Sequence, residues 1–150
     1  MDDWRRELHE IVNERVRVTR AEKENAAFEE FLDGVAKPAL EEIAKEFSAI
    51  PVRDAKVRRA PASVTLQVMA ENVEEISFRI LKHYATDGIL PCAEVRVNRG
   101  AHVAKYETML RDAPKYAIED VTDEDVIATF MRYYRLVKNA GSGGNAPVPA

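Results

Sequence analysis

Apolar residues recur at helical spacing through the first third of the chain. The first group consists of Trp4, Leu8, Ile11, Val12 and Val16. Steps of three and four residues place these side chains on one face of an α-helix. A polar stretch follows at 19–25, and the same pattern resumes over 28–47. Good helix formers fill the positions between them. We therefore predict helix over residues 2–48.

Two features could interrupt this helix. Pro38 cannot donate a hydrogen bond to the carbonyl of Gly34, so we expect a kink near 34–38 or a new helix that begins at Pro38. The polar stretch at 19–25 is a second candidate break. An unbroken helix over 2–48 would be about 70 Å long, whereas a compact domain of 150 residues is only about 40 Å across. The segment must therefore fold back or project, and a projecting apolar stripe needs a partner.

Apolar and polar residues alternate in the middle of the chain, as in strands with one buried face. The clearest strands cover 63–68, 76–80, 93–97 and 103–107. Shorter strands are predicted at 54–59 and 115–119. The turn Asn98-Arg99-Gly100 should join two of the strands as a hairpin. Because the gaps are short, neighbouring strands should be antiparallel.

The last helix is predicted over 122–138. Thr122 is a suitable N-cap, and Asp125 can complete a capping box with it. Val121 and Val126 are placed to form a hydrophobic staple. The glycine-rich composition of 141–150 predicts a flexible tail.

Together these elements predict one α+β domain over residues 1–140. It should contain long or kinked N-terminal helices, an antiparallel sheet of four to six strands and a C-terminal helix. The helices should cover one face of the sheet and leave the other, more polar face open.

Composition narrows the class of protein. The chain has 150 residues, of which 26 are acidic and 22 basic, and the net charge of −4 argues against a protein that coats nucleic acid. The single cysteine, Cys92, cannot form an intramolecular disulfide. The charged start and the lack of an apolar run of about 20 residues predict neither a signal peptide nor a membrane helix. We therefore predict a cytoplasmic protein that does not enter membranes.

Charge is divided unevenly along the chain. Residues 1–48 carry 13 acidic and 8 basic side chains, whereas residues 49–118 carry 8 acidic and 11 basic ones. The densest basic cluster consists of Arg53, Lys56, Arg58 and Arg59. This cluster is a candidate binding site for an anion or for nucleic acid. The alternative is that basic strands pack beside the acidic helices of the same fold.

No catalytic or metal-binding motif is complete in the sequence. His9 and Glu10 begin the zinc-protease pattern, but Asn13 stands where the second histidine is required. The residues that could form an unrecognised active site are His83, Cys92, His102 and Tyr106. In principle, the cysteine and the two histidines of that set could also supply three zinc ligands. Lacking a motif, we predict no catalytic residue, no cofactor and no bound metal.

The N-terminal stripe supports the leading functional hypothesis. Its apolar surface exceeds what a small domain can obviously bury, so we expect a protein-interaction or oligomerisation module, with a homodimer as the simplest assembly. The contact face would be Trp4, Leu8, Ile11, Val12 and Val16. The alternatives are an anion or nucleic-acid binder that uses the basic cluster and an enzyme with an unrecognised site.

Overall fold

A computed structural model describes residues 3–86 and 88–142, with side chains for all of these except Val18 and 138–142. The helices are α1 (Asp3–Phe31), α2 (Lys37–Phe47) and α3 (Asp123–Ser142), and a π-helical turn (Leu32–Ala36) joins α1 to α2. The strands are β1 (Arg53–Ala60), β2 (Ser63–Ala70), β3 (Val73–Ala85), β4 (Gly88–Asn98) and β5 (Val103–Met109). The predicted α+β class is therefore confirmed.

The five strands form one antiparallel sheet in sequence order, β1-β2-β3-β4-β5. The predicted hairpin turn joins β4 to β5, and Gly100 adopts the positive φ of 80° that such a tight turn favours. The strand predicted at 115–119 is wrong, because a 3-10 turn (Ile118–Asp120) occupies this region. The Asp120 carboxylate accepts a hydrogen bond of 2.9 Å from the Ala117 backbone N–H, which holds the turn instead of a strand ladder.

The hydrophobic core lies between one face of the sheet and the helices. Alternate residues of β2 and β3 point into it and are fully buried: Val64, Leu66, Val68, Ile76, Phe78 and Ile80. Phe130 of α3 meets Phe78 edge to face at 5.6 Å between ring centroids, and it meets Phe47 of α2 in the same way at 6.3 Å. The helices therefore cover one face of the sheet, as the alternation predicted.

The N-terminal helical segment has one irregularity and no break at 19–25. In the π-helical turn the Lys37 N–H donates to the carbonyl of Leu32, five residues back. This wider turn accommodates Pro38, which cannot donate to the usual carbonyl. No glycine or proline occurs within α1, so the polar stretch continues as helix, supported by an Arg20–Glu24 ion pair of 3.3 Å.

The last helix starts as predicted. The Asp125 carboxylate accepts from the Thr122 N–H at 3.0 Å, and the Thr122 hydroxyl accepts from the Asp125 N–H at 3.3 Å, which completes the capping box. The helix continues to Ser142, beyond the predicted end at 138, and the rest of the predicted tail at 141–150 lies outside the described residues.

None of the described helices combines the length and apolar character needed to span a membrane.

Candidate functional site

The first 21 residues of α1 form an arm that lacks contact with the core. Every described side chain from Asp3 to Lys23 is exposed. The arm is about 30 Å long. Its apolar stripe consists of the five predicted interface residues, which are between 47% and 62% exposed: Trp4, Leu8, Ile11, Val12 and Val16. Such a contiguous exposed apolar surface is typical of an interaction site.

The direction of the stripe explains why the domain itself leaves it uncovered. Further along the same helix, Phe28 and Phe31 are buried in the core. Counting about 100° per residue, the centre of the stripe lies roughly 170° around the helix axis from these two rings. The stripe therefore faces away from the side of α1 that packs on the domain.

The basic cluster of β1 is divided between the two faces of the sheet. Successive residues of β1 alternate in burial, so Arg53 and Arg59 lie on the helix side while Lys56 and Arg58 lie on the open face. Arg53 pairs with Glu75 at 2.7 Å, and Arg59 pairs with Asp33 at 2.9 Å. Lys56 also lies 3.8 Å from Asp54, so three of the four predicted anion-binding residues are engaged by acidic groups of the same chain. The anion-binding hypothesis stays a prediction.

A second candidate site lies in an open cleft of about 1750 Å³ at the other edge of the sheet. The cleft is bounded by the β3–β4 turn, the end of β5, the segment 110–119 and parts of α1 and α3. Its wall contains His83, Cys92 and Glu107, whose potential ligand atoms all lie within 4.8 Å of one another. Cys92 is buried, whereas the other two side chains are exposed.

Strand register brings these three residues together. Cys92 pairs with Leu81 on β3 and with Met109 on β5. His83 and Glu107 each lie two residues from these partners, and a two-residue step keeps a side chain on the same face of a sheet. The three side chains therefore lie on neighbouring diagonal positions of the open face.

The surroundings of Cys92 are apolar and negatively charged. Burial, followed by the charges of Glu107 and Glu94, raises the pKa of the Cys92 thiol to about 11. The thiol is therefore protonated at neutral pH, which is the opposite of the activation that a nucleophilic cysteine requires. The cleft also contains two buried groups that have no hydrogen-bond partner among the described residues, Arg111 Nε and the Tyr116 hydroxyl.

The structure brings together only part of the set proposed for an unrecognised active site. His102 lies in the β4–β5 turn, seven residues from Met109, the β5 partner of Cys92. At the rise of a strand, this spacing places His102 about 23 Å from the cysteine. Tyr106 pairs with buried Val95, and its ring packs at a tilt against that of Tyr133, with 5.2 Å between centroids, so it points to the helix side. Sequence reasoning missed Glu107, although counting back from the predicted hairpin turn would have placed it opposite Glu94.

No protein-family model, no curated protein and no solved structure matches this chain.

Proposed function

We propose that this protein is a self-association module, in which the arm pairs with the arm of a second copy of the chain. The observation that carries the proposal is the apolar stripe on an unbroken helix, facing away from its own domain. Burial of this stripe in a partner would remove large aliphatic and aromatic side chains from water. A second copy supplies a matching surface at the same concentration as the first.

Charged residues at the edges of the stripe favour a parallel pair. At about 100° per residue, Glu7 and Glu14 lie along one edge, whereas Arg5 and Arg20 lie towards the other. Arg15 lies within the stripe, and Arg20 is also paired with Glu24 of its own helix. Parallel pairing places the acidic edge of each arm beside the basic edge of the other. Antiparallel pairing would place Glu7 beside the partner's Glu14, which is repulsive.

The position of the domain is compatible with the same arrangement. In a parallel pair both domains lie at the same end of the arms. Because the stripe faces away from Phe28 and Phe31, each domain would extend outward from the pair, so the two domains would not compete for the same space. The interface is limited to the arm of each copy and is therefore small, so we expect dimerisation to depend on protein concentration.

The first test compares two substitutions on the same turn of the arm. Ile11→Glu places a charge in the stripe and should abolish dimerisation. Asn13→Glu adds the same side chain on the far side of the helix and should leave the dimer intact. Both positions are exposed, so neither substitution should disturb the folded domain. The measurement is molar mass by light scattering, with circular dichroism as the check on folding.

Equal molar masses for the two variants would contradict the proposal. An unchanged dimer in Ile11→Glu would show that another surface associates. A monomer in Asn13→Glu would show that the arm does not pair through its apolar stripe.

A further inference from the structure

The cluster in the cleft contains three different metal-binding groups that are free to bind an ion. Among residues 3–86 and 88–142, the structure gives no hydrogen bond and no ion pair to the side chains of His83, Cys92 or Glu107. All three side chains line the cleft. A buried thiol beside an imidazole and a carboxylate that have no other partner among these residues is a set of metal ligands. The sulfur ligand favours a transition metal such as zinc over calcium or magnesium.

We propose that His83, Cys92 and Glu107 bind one zinc ion on the open face of the sheet. The sequence alone predicted no bound metal, because it contains no complete metal-binding motif. The proposal is independent of the apolar stripe of the arm, because its three residues belong to β3, β4 and β5.

The geometry requires only a small adjustment. Zinc binds sulfur at about 2.3 Å and nitrogen or oxygen at about 2.0–2.2 Å, so ligand atoms around a tetrahedral ion lie about 3.5 Å apart. The three ligand atoms already lie within 4.8 Å of one another. His83 and Glu107 are exposed and can rotate inward by the remaining ångström, while Cys92 stays fixed in the sheet.

The donor types select the metal. A thiolate with an imidazole suits zinc, whereas calcium and magnesium prefer sites made of oxygen ligands. On binding, the thiol proton passes to solvent and a zinc–sulfur bond forms. The carboxylate of Glu94, opposite Glu107 and two residues from Cys92, adds negative charge that favours a cation at the same place. Three protein ligands leave a fourth position on the cleft side, which water can occupy.

The test uses the full chain freed of metal by a chelator. Cobalt(II) serves as a spectroscopic probe, because tetrahedral cobalt bound to a thiolate gives a sulfur-to-metal charge-transfer band in the near ultraviolet. We expect this band to saturate at one equivalent of cobalt and to disappear when zinc displaces the cobalt. Absence of the band, or its saturation at a different ratio, would overturn the proposal.

Four substitutions separate this site from adventitious binding. His83→Gln and Glu107→Gln change exposed side chains and should each weaken zinc binding by at least about tenfold, measured by calorimetry. Cys92→Ser should remove the charge-transfer band. His102→Gln changes a histidine far from the cluster and should leave the affinity unchanged. Equal zinc affinity in His83→Gln and His102→Gln would overturn the assignment, and it does so even if Cys92→Ser fails to fold.

Discussion

Val52 occupies a backbone conformation that its side chain disfavours. It lies between α2 and β1 with a φ of 67°, in the left-handed region, and its side chain is 58% exposed. A β-branched residue is strained in this region, whereas asparagine is several-fold enriched there. The residue gains little from burial to offset that strain.

Substitution Val52→Asn should therefore stabilise the fold. We expect the free energy of unfolding to rise by about 1 kcal/mol, since left-handed backbone costs an L-residue roughly 1–2 kcal/mol. Chemical denaturation measures the change. Val73→Asn is the matched control, because Val73 is similarly exposed but belongs to β3 with ordinary strand geometry. A loss of stability in Val52→Asn equal to that in Val73→Asn would refute the strain argument.

The face on which a residue lies was predictable from the sequence where the spacing of nearby apolar residues determined it. The stripe from Trp4 to Val16 was identified from helical spacing alone. Glu107 was missed as a site residue: the hairpin turn sets its place opposite Glu94, but its approach to His83 depends on pairing across three strands. The four basic residues of β1 appear as one cluster in sequence, but strand alternation separates them onto two faces.

At the scale of elements, the capping box of α3 links sequence and structure directly. Thr122→Ala removes the hydroxyl that accepts from the Asp125 N–H. We expect the free energy of unfolding to fall by about 1 kcal/mol, as is typical of an N-cap threonine. Thr19→Ala is the control, because that hydroxyl only donates to the Arg15 carbonyl on the exposed arm. If the two variants unfold at the same denaturant concentration, the cap has no stabilising role.

The spacing of apolar residues predicted the regular helices and strands, but it did not predict the π-helical turn or the 3-10 turn. Four of the five strands and the hairpin turn matched clear alternation, and β1 matched the shorter prediction at 54–59. The alternation at 115–119 was too short to identify a strand. Local hydrogen bonds hold this region in a turn, including the one that the Asp120 carboxylate accepts from the Ala117 N–H. Pro38 signalled an irregularity, but helix geometry alone could not distinguish a kink from the π-helical turn.

At the scale of the whole molecule, the sequence left two alternatives for the N-terminal segment, to fold back or to project. The choice depended on whether the polar stretch at 19–25 would break the helix, and its lack of apolar periodicity left both outcomes open although its residues favour helix. The structure continues the helix, so the arm projects with its apolar stripe exposed.

The orientation of the proposed pair can be tested by disulfide formation in the chain that retains Cys92, because that thiol is buried and protonated at neutral pH. In a parallel pair Trp4→Cys lies beside its counterpart, within the roughly 7 Å between Cα atoms that a disulfide allows. An antiparallel pair centred on residue 10 would separate the two positions by about 18 Å. We expect Trp4→Cys to crosslink under mild oxidation, and Asn13→Cys, on the far side of the helix, to stay reduced. Crosslinking of both or of neither would contradict the parallel arrangement.

The most direct test of the central claim is the molar mass of the unaltered full chain in solution, measured by light scattering at a low and a high protein concentration. Self-association through the arm predicts a mass that rises with concentration towards twice the 16.9 kDa of one chain. A mass of 16.9 kDa at both concentrations would contradict it.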